Sequence, residues 1–559
     1  MPQAAWLRRS SLSVWTISLT EIADNTPVII GVGQYSERVG EPTYEALSYM
    51  DLGGRALAAA IADSAATAPV APAIDALAAI RAFENSRPGR EPPFGGSNNV
   101  PRSFAKRVGA DPARAILSTT GGQYNQKLVG EFAADIAAGR SQCAAIVGSE
   151  AISTVLALSA QGEKPDWSEE VEGDLEDRGY GLDGMLEPGF FAHGATGAIP
   201  LYAIAENARR AKLGKKLDEY RRDIGELFEP FTKVAAANPH AAAPKERSAE
   251  ELATITERNR VVAEPYARMT VARDQVNQAA AILIASAGKA RELGVPESKW
   301  VHIHAVTSAT ELELSERPDL SANPASIASV ESALSVAGKG MADMAFLDFY
   351  SCFAIPVFNQ CDHFGLAHDD PRGLTLTGGL PFFGGAGNNY SAHAICEAVQ
   401  KVRESSGSYA LIGANGGWMS KYATGIYSTQ AADWSDQRVV ELPKANDGVP
   451  RSDQPFDEAR VESYTINHSK TGSDAVFIGR NGDGERVVGN ADLSHEATRS
   501  LFESGEPFGA SLSVTATVSV VEPSVTVVVP PVWLVISRGA PTTISTRLLS
   551  RGVGSCSYV

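Results

Sequence analysis

The sequence predicts an α/β fold of two related layered halves, with a helical insertion in the first half and a small β-domain after the second. Three observations predict it. Apolar runs of strand length alternate with longer helical stretches, and this alternation occurs twice along the chain. After about residue 436 the pattern changes to alternating apolar and polar residues around a turn. With 559 residues, 44% of them hydrophobic, the chain can build more than one core.

The first half begins with "TPVIIGVGQYSER" (26–38), which predicts a strand that runs into a glycine turn. A stretch with helical periodicity follows at 44–65. Residues 113–151 then predict a strand, a glycine turn at "STTGGQ", a helix and a second apolar strand. Strands that alternate with helices in this way favour a largely parallel sheet. We assign residues 26–290 to the N-terminal half.

An insertion interrupts this half, and we assign a loop domain to about 156–270. It opens with an acidic run, because residues 162–188 hold ten Asp and Glu side chains, and such a run is typical of a solvated loop. The helical stretch that follows, "PLYAIAENARRAKLGKKLDEYRRDIGELFEPF", is long enough to form a lid or a loop domain.

The second half, residues 296–431, repeats the order of strand, helix, strand, helix and strand, so two similar halves are predicted. Residues 437–510 alternate around an "NGDG" hairpin turn and predict an appended β-domain. We treat 511–559 as an atypical tail and 1–25 as a disordered leader, and assign neither a function.

Composition excludes several classes of partner. The chain has 49 Lys and Arg against 66 Asp and Glu, so a general attraction to nucleic acid or to an anionic membrane is not expected. Neither a secretory signal nor a transmembrane span is predicted at the N-terminus. Five cysteines occur at no metal-site or disulfide-framework spacing, which favours a cytoplasmic protein without a bound metal.

Four motifs are specific by their order and spacing, although no one of them is specific alone: "IVGSEA" (146–151), "IAENA" (204–208), "YSCF" (350–353) and "GGLPFFGG" (378–385), the last of which leads to "NGGW". Together they resemble the thiolase superfamily, in its branch related to the sterol-carrier-protein thiolases and thiolase-like proteins. The resemblance covers about residues 26–431. It implies a thiolase fold and an acetyl-CoA acetyltransferase family protein with coenzyme A or acyl-CoA as substrate or ligand and no tightly bound cofactor. It also implies a homodimer that pairs the edge strands of the first halves.

The resemblance places the family's catalytic positions on unusual residues. The nucleophilic cysteine lies 28 residues before the glutamate of the "IVGSEA" strand, which is Gly122 in this chain. The histidine that activates the nucleophile falls on Gly385, and the C-terminal acid/base cysteine falls on Asn415. Of the family's reactive groups, only Cys352 in "YSCF" is retained, so standard thiolase chemistry is in doubt.

Other side chains are candidates for the missing roles. Cys352 is a reactive or substrate-facing thiol, or else a core thiol, and Tyr350 is a proton donor for retro-aldol cleavage, or else an ordinary strand aromatic. Asn388 and His393 are candidates to replace the histidine, although the same residues suit a turn closed by Asn side chains. The backbone around Gly384 and Gly385 offers further donors.

Coenzyme A carries a pyrophosphate and a 3′-phosphate, so a net-acidic protein must bind it with local cations or helix ends. Cations crowd one stretch of the loop domain, where the family binds CoA, and a solvated helix face is the alternative interpretation. The candidates are Arg209, Arg210, Lys212 and Lys215.

Three functions follow from this sequence. The first is an acyl-CoA acyltransferase of the thiolase type with altered catalytic residues. The second is a non-catalytic CoA-ester binding protein that keeps the cleft. The third is a lyase that cleaves β-hydroxyacyl-CoA by a retro-aldol reaction, for which the β-domain resembles the small partner subunits of some such lyases.

Overall fold

The computed structural model of the chain describes residues 22–185, 187–470 and 472–513. Most of the predicted leader and all of the predicted tail after residue 513 therefore lie outside the described residues. Within the described part of the chain, no helix has the length and apolar character that a membrane span requires.

The N-terminal half and its insertion follow the predicted order. The strands are β1 Pro27–Ser36, β2 Ala76–Ala79, β3 Arg114–Leu117, β4 Cys143–Glu150, β5 Glu176–Asp177, β6 Val261–Ala263, β7 Tyr266–Ala267 and β8 Gln278–Ser286. The helices are α1 Tyr49–Asp63, α2 Val100–Val108, α3 Tyr124–Ala137, α4 Ile152–Gln161, α5 Pro188–Ala192, α6 Ala198–Lys212, α7 Leu217–Ala237, α8 Ala249–Ala253 and α9 Ala287–Glu292.

The C-terminal half and the β-domain complete the chain. The strands are β9 Val301–Thr310, β10 Met344–Asp348, β11 Tyr409–Gly416, β12 Lys421–Ser428, β13 Val439–Glu441, β14 Glu458–Ser469, β15 Gly472–Asn481, β16 Arg486–Ala491 and β17 Ser511–Ser513. The helices are α10 Pro324–Ala337, α11 Ala354–Phe364, α12 Tyr390–Glu404 and α13 Glu496–Glu503.

Local sequence explains where helix α1 begins and how it packs. Ser48 caps its N-terminus, because the Ser48 hydroxyl accepts the Asp51 backbone N–H at 3.2 Å. The helix then lies directly on β1, where a Cβ added at Gly33 would come within 2.2 Å of the Ala56 carbonyl oxygen. Glycine in β1 is therefore what allows the helix to approach the strand so closely.

The strands of both halves form one mixed sheet of eleven strands, in the order β10-β11-β12-β9-β1-β8-β4-β2-β3-β5, with β13 pairing β9. The junction between the halves is short, since β1 and β9 pair only at Val28 with His302 and at Ile29 with Val301. The outer pairs β2 with β3 and β4, and β10 with β11, are parallel, as the alternation of strands and helices predicts. The central pairs along β11-β12-β9-β1-β8-β4 are antiparallel, so the prediction of a largely parallel sheet was wrong.

Helices α3 and α12 lie between the two halves. Each contacts strands of both, and their buried residues share one apolar core with β1, β8, β9 and β11. A second core lies beneath α1 and α2, and a third joins the C-terminal half to the insertion. The halves are thus held together by two central helices whose first residues follow glycine-rich turns.

The insertion and the β-domain share a sheet, which the sequence analysis did not anticipate. Strands β6 and β7 of the insertion join β14, β15 and β16 in the order β16-β15-β14-β6-β7, and β17 pairs β14. The Asn207 side chain of α6 fixes this junction by donating to the backbone oxygens of Glu264 at 2.8 Å and Tyr464 at 3.0 Å. The appended β-domain is present, but it is built onto the insertion.

The acidic run is mostly exposed, as predicted for a solvated loop, but part of it also joins the large sheet. Its strand β5 pairs with β3 at the edge of the large sheet, and the Arg178 backbone N–H donates to the Leu117 oxygen at 3.0 Å. The Arg178 side chain forms an ion pair with Glu131 on α3 at 2.6 Å. This stretch, which we call the edge strap (residues 162–181), covers the edge that the resemblance assigned to a second subunit.

Candidate active site

A cleft opens where the glycine turn before α3 meets the loops that follow β10 and β11. It encloses about 650 Å³ of atom-free space, counting its open mouth. Six of the sequence-predicted residues line it: Gly122, Tyr350, Cys352, Gly385, Asn388 and Asn415. Six others do not, namely Arg209, Arg210, Lys212, Lys215, Gly384 and His393.

Gly122 lies where the family resemblance places a nucleophile, and the space for a side chain is filled. A Cβ added there would lie 2.5 Å from the Asn415 carbonyl oxygen and 2.8 Å from the Tyr350 hydroxyl. Real Cβ atoms do not approach other atoms so closely. The turn therefore has no room for a side chain at residue 122, because the Asn415 backbone oxygen and the Tyr350 hydroxyl occupy that space.

Asn388 holds this turn in place. Its Oδ1 accepts the Gly121 backbone N–H at 2.9 Å, and its Nδ2 donates to the Arg81 oxygen at 2.6 Å and to Ser86 Oγ at 3.0 Å. Ser391 also donates to the Gly122 oxygen. The polar atoms of the Asn388 side chain are thus bonded to other residues of the protein. This agrees with the turn-closing interpretation of Asn388 and does not favour Asn388 as a replacement for the histidine.

Cys352 and Asn415 are joined by a residue that the sequence analysis missed. The Asn415 Nδ2 donates to the Tyr202 hydroxyl at 2.9 Å, and that hydroxyl lies close enough to the Cys352 thiol to act on its pKa. Tyr202 comes from α6 of the insertion, and its ring stacks on Phe353 with centroids 4.3 Å apart. In the sequence it reads as one apolar residue of a helix, so no signal marked it as a site residue.

The thiol of Cys352 is poorly suited to act as a nucleophile. Burial raises its pKa to about 12, although the Tyr202 hydroxyl and backbone N–H groups act in the opposite direction. At physiological pH the Cys352 side chain is therefore a neutral thiol. A neutral thiol is a poor nucleophile, because the thiolate is the reactive form.

Tyr350 presents an available hydroxyl. Burial, followed by the nearby Cys352, raises its pKa above the ordinary value for tyrosine. In the described part of the chain this hydroxyl makes no hydrogen bond, and it faces the cleft next to Gly122. It is therefore a neutral donor that a bound ligand could accept from.

His393 does not take the place of the missing histidine. It is fully buried on α12, where its Nδ1 hydrogen-bonds to Gln34 Oε1 at 2.6 Å and its ring contacts Phe383. Burial holds its pKa well below the ordinary value, so the ring stays neutral. Gly384 likewise lies against Gln278 and Val276 and outside the cleft.

The predicted phosphate-binding cations serve the structure instead. Arg209 pairs with Asp362 at 2.8 Å. Arg210 is fully buried and donates to the Lys215 oxygen at 2.8 Å and to the Gly505 oxygen. The other two form ion pairs as well, Lys212 with Asp319 at 2.8 Å and Lys215 with Asp223 at 2.5 Å. These contacts connect α6 and the turn after it to the C-terminal half, to α7 and to the β-domain. The four cations thus have structural partners, and their placement at a phosphate site stays a prediction.

Different cations lie at the cleft. Arg273 lines it, and the charge of Arg268 lies close enough to act on Arg273. Both residues are exposed, and neither side chain makes a hydrogen bond or ion pair with a described residue. Arg273 is exposed as a residue, but the cleft wall removes part of the water around its guanidinium group. This partial desolvation, and then the positive charges of Arg268 and Arg247, lower the pKa of the Arg273 guanidinium. Mutual repulsion among these groups would be relieved by an anion, which is the usual electrostatic condition for a phosphate site.

One carboxylate lies beside these cations. Asp274 lines the cleft, and burial raises its pKa to about 6, which leaves it largely ionised at neutral pH. Behind it, burial raises the pKa of Glu84 to about 7 and that of Glu150 well above the ordinary range. Of these three acids, Asp274 is the one that the cleft exposes to a ligand.

Comparison with known proteins settles the family. No family model matches the chain, and no curated protein matches it. Among solved structures, a monomeric SCP2-thiolase like protein type 1 from Mycobacterium smegmatis is 42% identical, with a TM-score of 0.74. The match covers 89% of this chain and 98% of that chain. The chain belongs to the SCP2-thiolase-like proteins of the thiolase superfamily.

More distant structures share the thiolase fold of this SCP2-thiolase-like chain. An Ltp2-ChsH2(DUF35) aldolase is 16% identical over 72% of this chain and 97% of that one, with a TM-score of 0.51. Acetyl-CoA acetyltransferase from Syntrophomonas wolfei is also 16% identical, over 73% and 100% of the two chains, with a TM-score of 0.50. The predicted family and fold class are thus confirmed.

Proposed function

We propose that this SCP2-thiolase-like protein binds a CoA thioester in the cleft without forming an acyl-enzyme. One observation carries the proposal: the Tyr350 hydroxyl and the Asn415 backbone oxygen fill the space that a nucleophilic side chain at residue 122 would need. Covalent acyl transfer needs a nucleophile with a base beside it. The cleft offers Cys352, a neutral thiol whose neighbours are tyrosines and an amide.

The phosphates of the CoA moiety would bind to Arg273 and Arg268. Both guanidinium groups are exposed, lack a partner in the described chain and lie at or near the cleft. Phosphate oxygens form charge-assisted hydrogen bonds with arginine. In this proposal Arg268 and Arg273 bind the phosphates in place of the cations on α6. The thioester end of the ligand then enters the cleft towards Tyr350.

The acyltransferase prediction is a narrower claim than membership of the superfamily. Thiolase-fold neighbours support acyltransferase-type chemistry at the superfamily level. For this chain we propose that any transfer occurs directly between bound molecules, since the cleft has no activated thiolate. Isotope exchange between labelled free CoA and acetyl-CoA tests it: exchange that proceeds without a protein-bound label would support direct transfer.

Retro-aldol cleavage of a β-hydroxyacyl-CoA is the second candidate, and the free Tyr350 hydroxyl favours it. The carboxylate of Asp274 would accept the proton of the β-hydroxyl group as the bond between Cα and Cβ breaks. The electron pair of that bond stays on Cα as an enolate, which takes a proton from Tyr350. The products are an aldehyde or ketone and a shorter acyl-CoA, with no oxidant required.

A panel of CoA esters separates these functions. The protein is mixed with saturated, β-keto and β-hydroxyacyl-CoA esters, and binding, free CoA and carbonyl products are followed together. Binding with neither product supports a CoA-ester binding protein, and carbonyl product supports the lyase. Free CoA without carbonyl product supports transfer or hydrolysis, and failure of every ester to bind would overturn the whole proposal.

We also propose that the protein is a monomer, in place of the homodimer that the resemblance implied. The edge strap already pairs with β3, so that edge offers few free backbone groups to a second copy. The relative from Mycobacterium smegmatis is described as monomeric. A cytoplasmic location remains a proposal, supported by four free cysteines in the described chain.

A further inference from the structure

A second, smaller cavity lies behind the wall of the cleft. Its atom-free space is about 310 Å³ by the measure used for the cleft, of which about 20 Å³ can hold the centre of a water molecule. Tyr350 and Asn415 line both it and the cleft. Gln360 and Ser326 line its other side. A cavity of this size can hold one water molecule when polar partners are present.

Two residues that line this cavity each have a buried acceptor without a donor. Gln360 is 4% exposed and Asn415 is 2% exposed, and neither Gln360 Oε1 nor Asn415 Oδ1 has a hydrogen-bond partner in the described part of the chain. The amide nitrogens are occupied, since Gln360 Nε2 donates to Ser326 Oγ at 2.7 Å and Asn415 Nδ2 donates to Tyr202 at 2.9 Å. Leaving both carbonyl oxygens unpaired is costly, and water has the two O–H donors that they need.

We propose that one water molecule binds in this cavity, donates to Gln360 Oε1 and Asn415 Oδ1, and thereby positions the groups that hold Cys352. The Ser326 hydroxyl accepts from Gln360, so its own hydrogen is free to be donated to the oxygen of this water. The site thus provides two acceptors and one donor, which is a usual coordination for buried water.

The water sets the direction of a chain of hydrogen bonds that ends in the cleft. With Asn415 Oδ1 held by the water, Asn415 Nδ2 must face the Tyr202 oxygen. Tyr202 then has its hydrogen free for the Cys352 sulfur, which is the arrangement that lowers the pKa of the thiol against the effect of burial. The S–H group of Cys352 is left to point at a cleft ligand. Gln360 is therefore a positioning residue, acting through water, Asn415 and Tyr202.

Two measurements test this inference, and neither depends on the function proposed above. A high-resolution crystal structure of the wild-type protein should contain an ordered water within hydrogen-bond distance of both oxygens; its absence would overturn the inference. The second is the rate of Cys352 alkylation against pH, mapped by mass spectrometry. Gln360→Met removes the acceptor and should slow alkylation several-fold at pH 9, because Tyr202 then donates less often to the sulfur and the thiol pKa rises.

Gln360→Glu is the matched control, since it keeps an oxygen at the same place. It should restore the water and most of the alkylation rate. If Gln360→Met folds with wild-type thermal stability, lacks the water and leaves the pH profile unchanged, the positioning role is wrong. If both variants slow alkylation equally, the effect is one of packing and the inference is likewise overturned.

Discussion

Restoring a thiol at residue 122 should damage the fold instead of creating a thiolase. In Gly122→Cys the new Cβ would lie 2.5 Å from the Asn415 oxygen and 2.8 Å from the Tyr350 hydroxyl. The first of these atoms is backbone in β11 and cannot rotate away. The hydrogen bonds of Asn388 and Ser391 also restrain the turn itself.

Overpacking of this kind costs about 1–3 kcal/mol, and the rigid surroundings place Gly122→Cys near the upper end. Urea denaturation at pH 7.5 measures the loss in free energy of unfolding. Gly482→Cys is the control, because a Cβ at that hairpin position meets no atom within 4 Å. The double variant Gly122→Cys with Tyr350→Phe should recover part of the loss and not all of it, since the Asn415 oxygen remains. A Gly122→Cys protein that is as stable as wild type and accepts an acyl group would contradict this prediction.

Three further predictions concern binding, pH and assembly. Charge reversal in Arg268→Glu with Arg273→Glu should weaken CoA binding at least about tenfold and flatten its salt dependence, because each charge-assisted bond contributes about 1.5–3 kcal/mol. Calorimetry measures the affinity, and Arg222→Glu, which changes an exposed cation on α7, is the control. Equal losses of affinity in the double variant and in the control would contradict the prediction. Glu84→Gln should stabilise the protein at pH 8 but not at pH 4. The pKa of Glu84 rises on folding from 4.5 to about 7, which corresponds to a loss of at most about 3 kcal/mol in the free energy of unfolding. This loss appears only as the pH rises through that interval, because the folded protein then resists ionisation of Glu84. An equal gain at both pH values in urea denaturation would point to another cause. Sedimentation equilibrium should give the mass of one chain, and a species of twice that mass at micromolar concentration would contradict the monomer proposal.

Local sequence predicted the helices and strands that have a clear hydrophobic period and are bounded by residues that end an element. Strand β4 and helix α3 are examples, since an apolar run and a glycine turn mark their limits. The register that placed Gly122 at the nucleophile position came from the family resemblance, and Gly122 lies in the cleft with Tyr350 and Cys352.

The rest depended on contacts between distant parts of the chain. Arg209 and Arg210 look like surface cations in the sequence, and only the packing of the β-domain against α6 buries Arg210. Conversely, Arg268 and Arg273 are isolated in the sequence and become neighbours of the cleft through the fold. Tyr202 could not be distinguished from a core aromatic, because its hydroxyl partner Asn415 lies 213 residues away.

The central claim is that CoA thioesters bind in this cleft without an acyl-enzyme. The direct test is to incubate the protein with acetyl-CoA labelled in its acetyl group, quench with acid, and map the peptides, after equilibrium dialysis has shown that the ester binds. We expect bound ester and no covalent label on residues 118–129 or on Cys352. A label recovered on Cys352, or on Thr119 or Thr120 of the glycine turn, would contradict it.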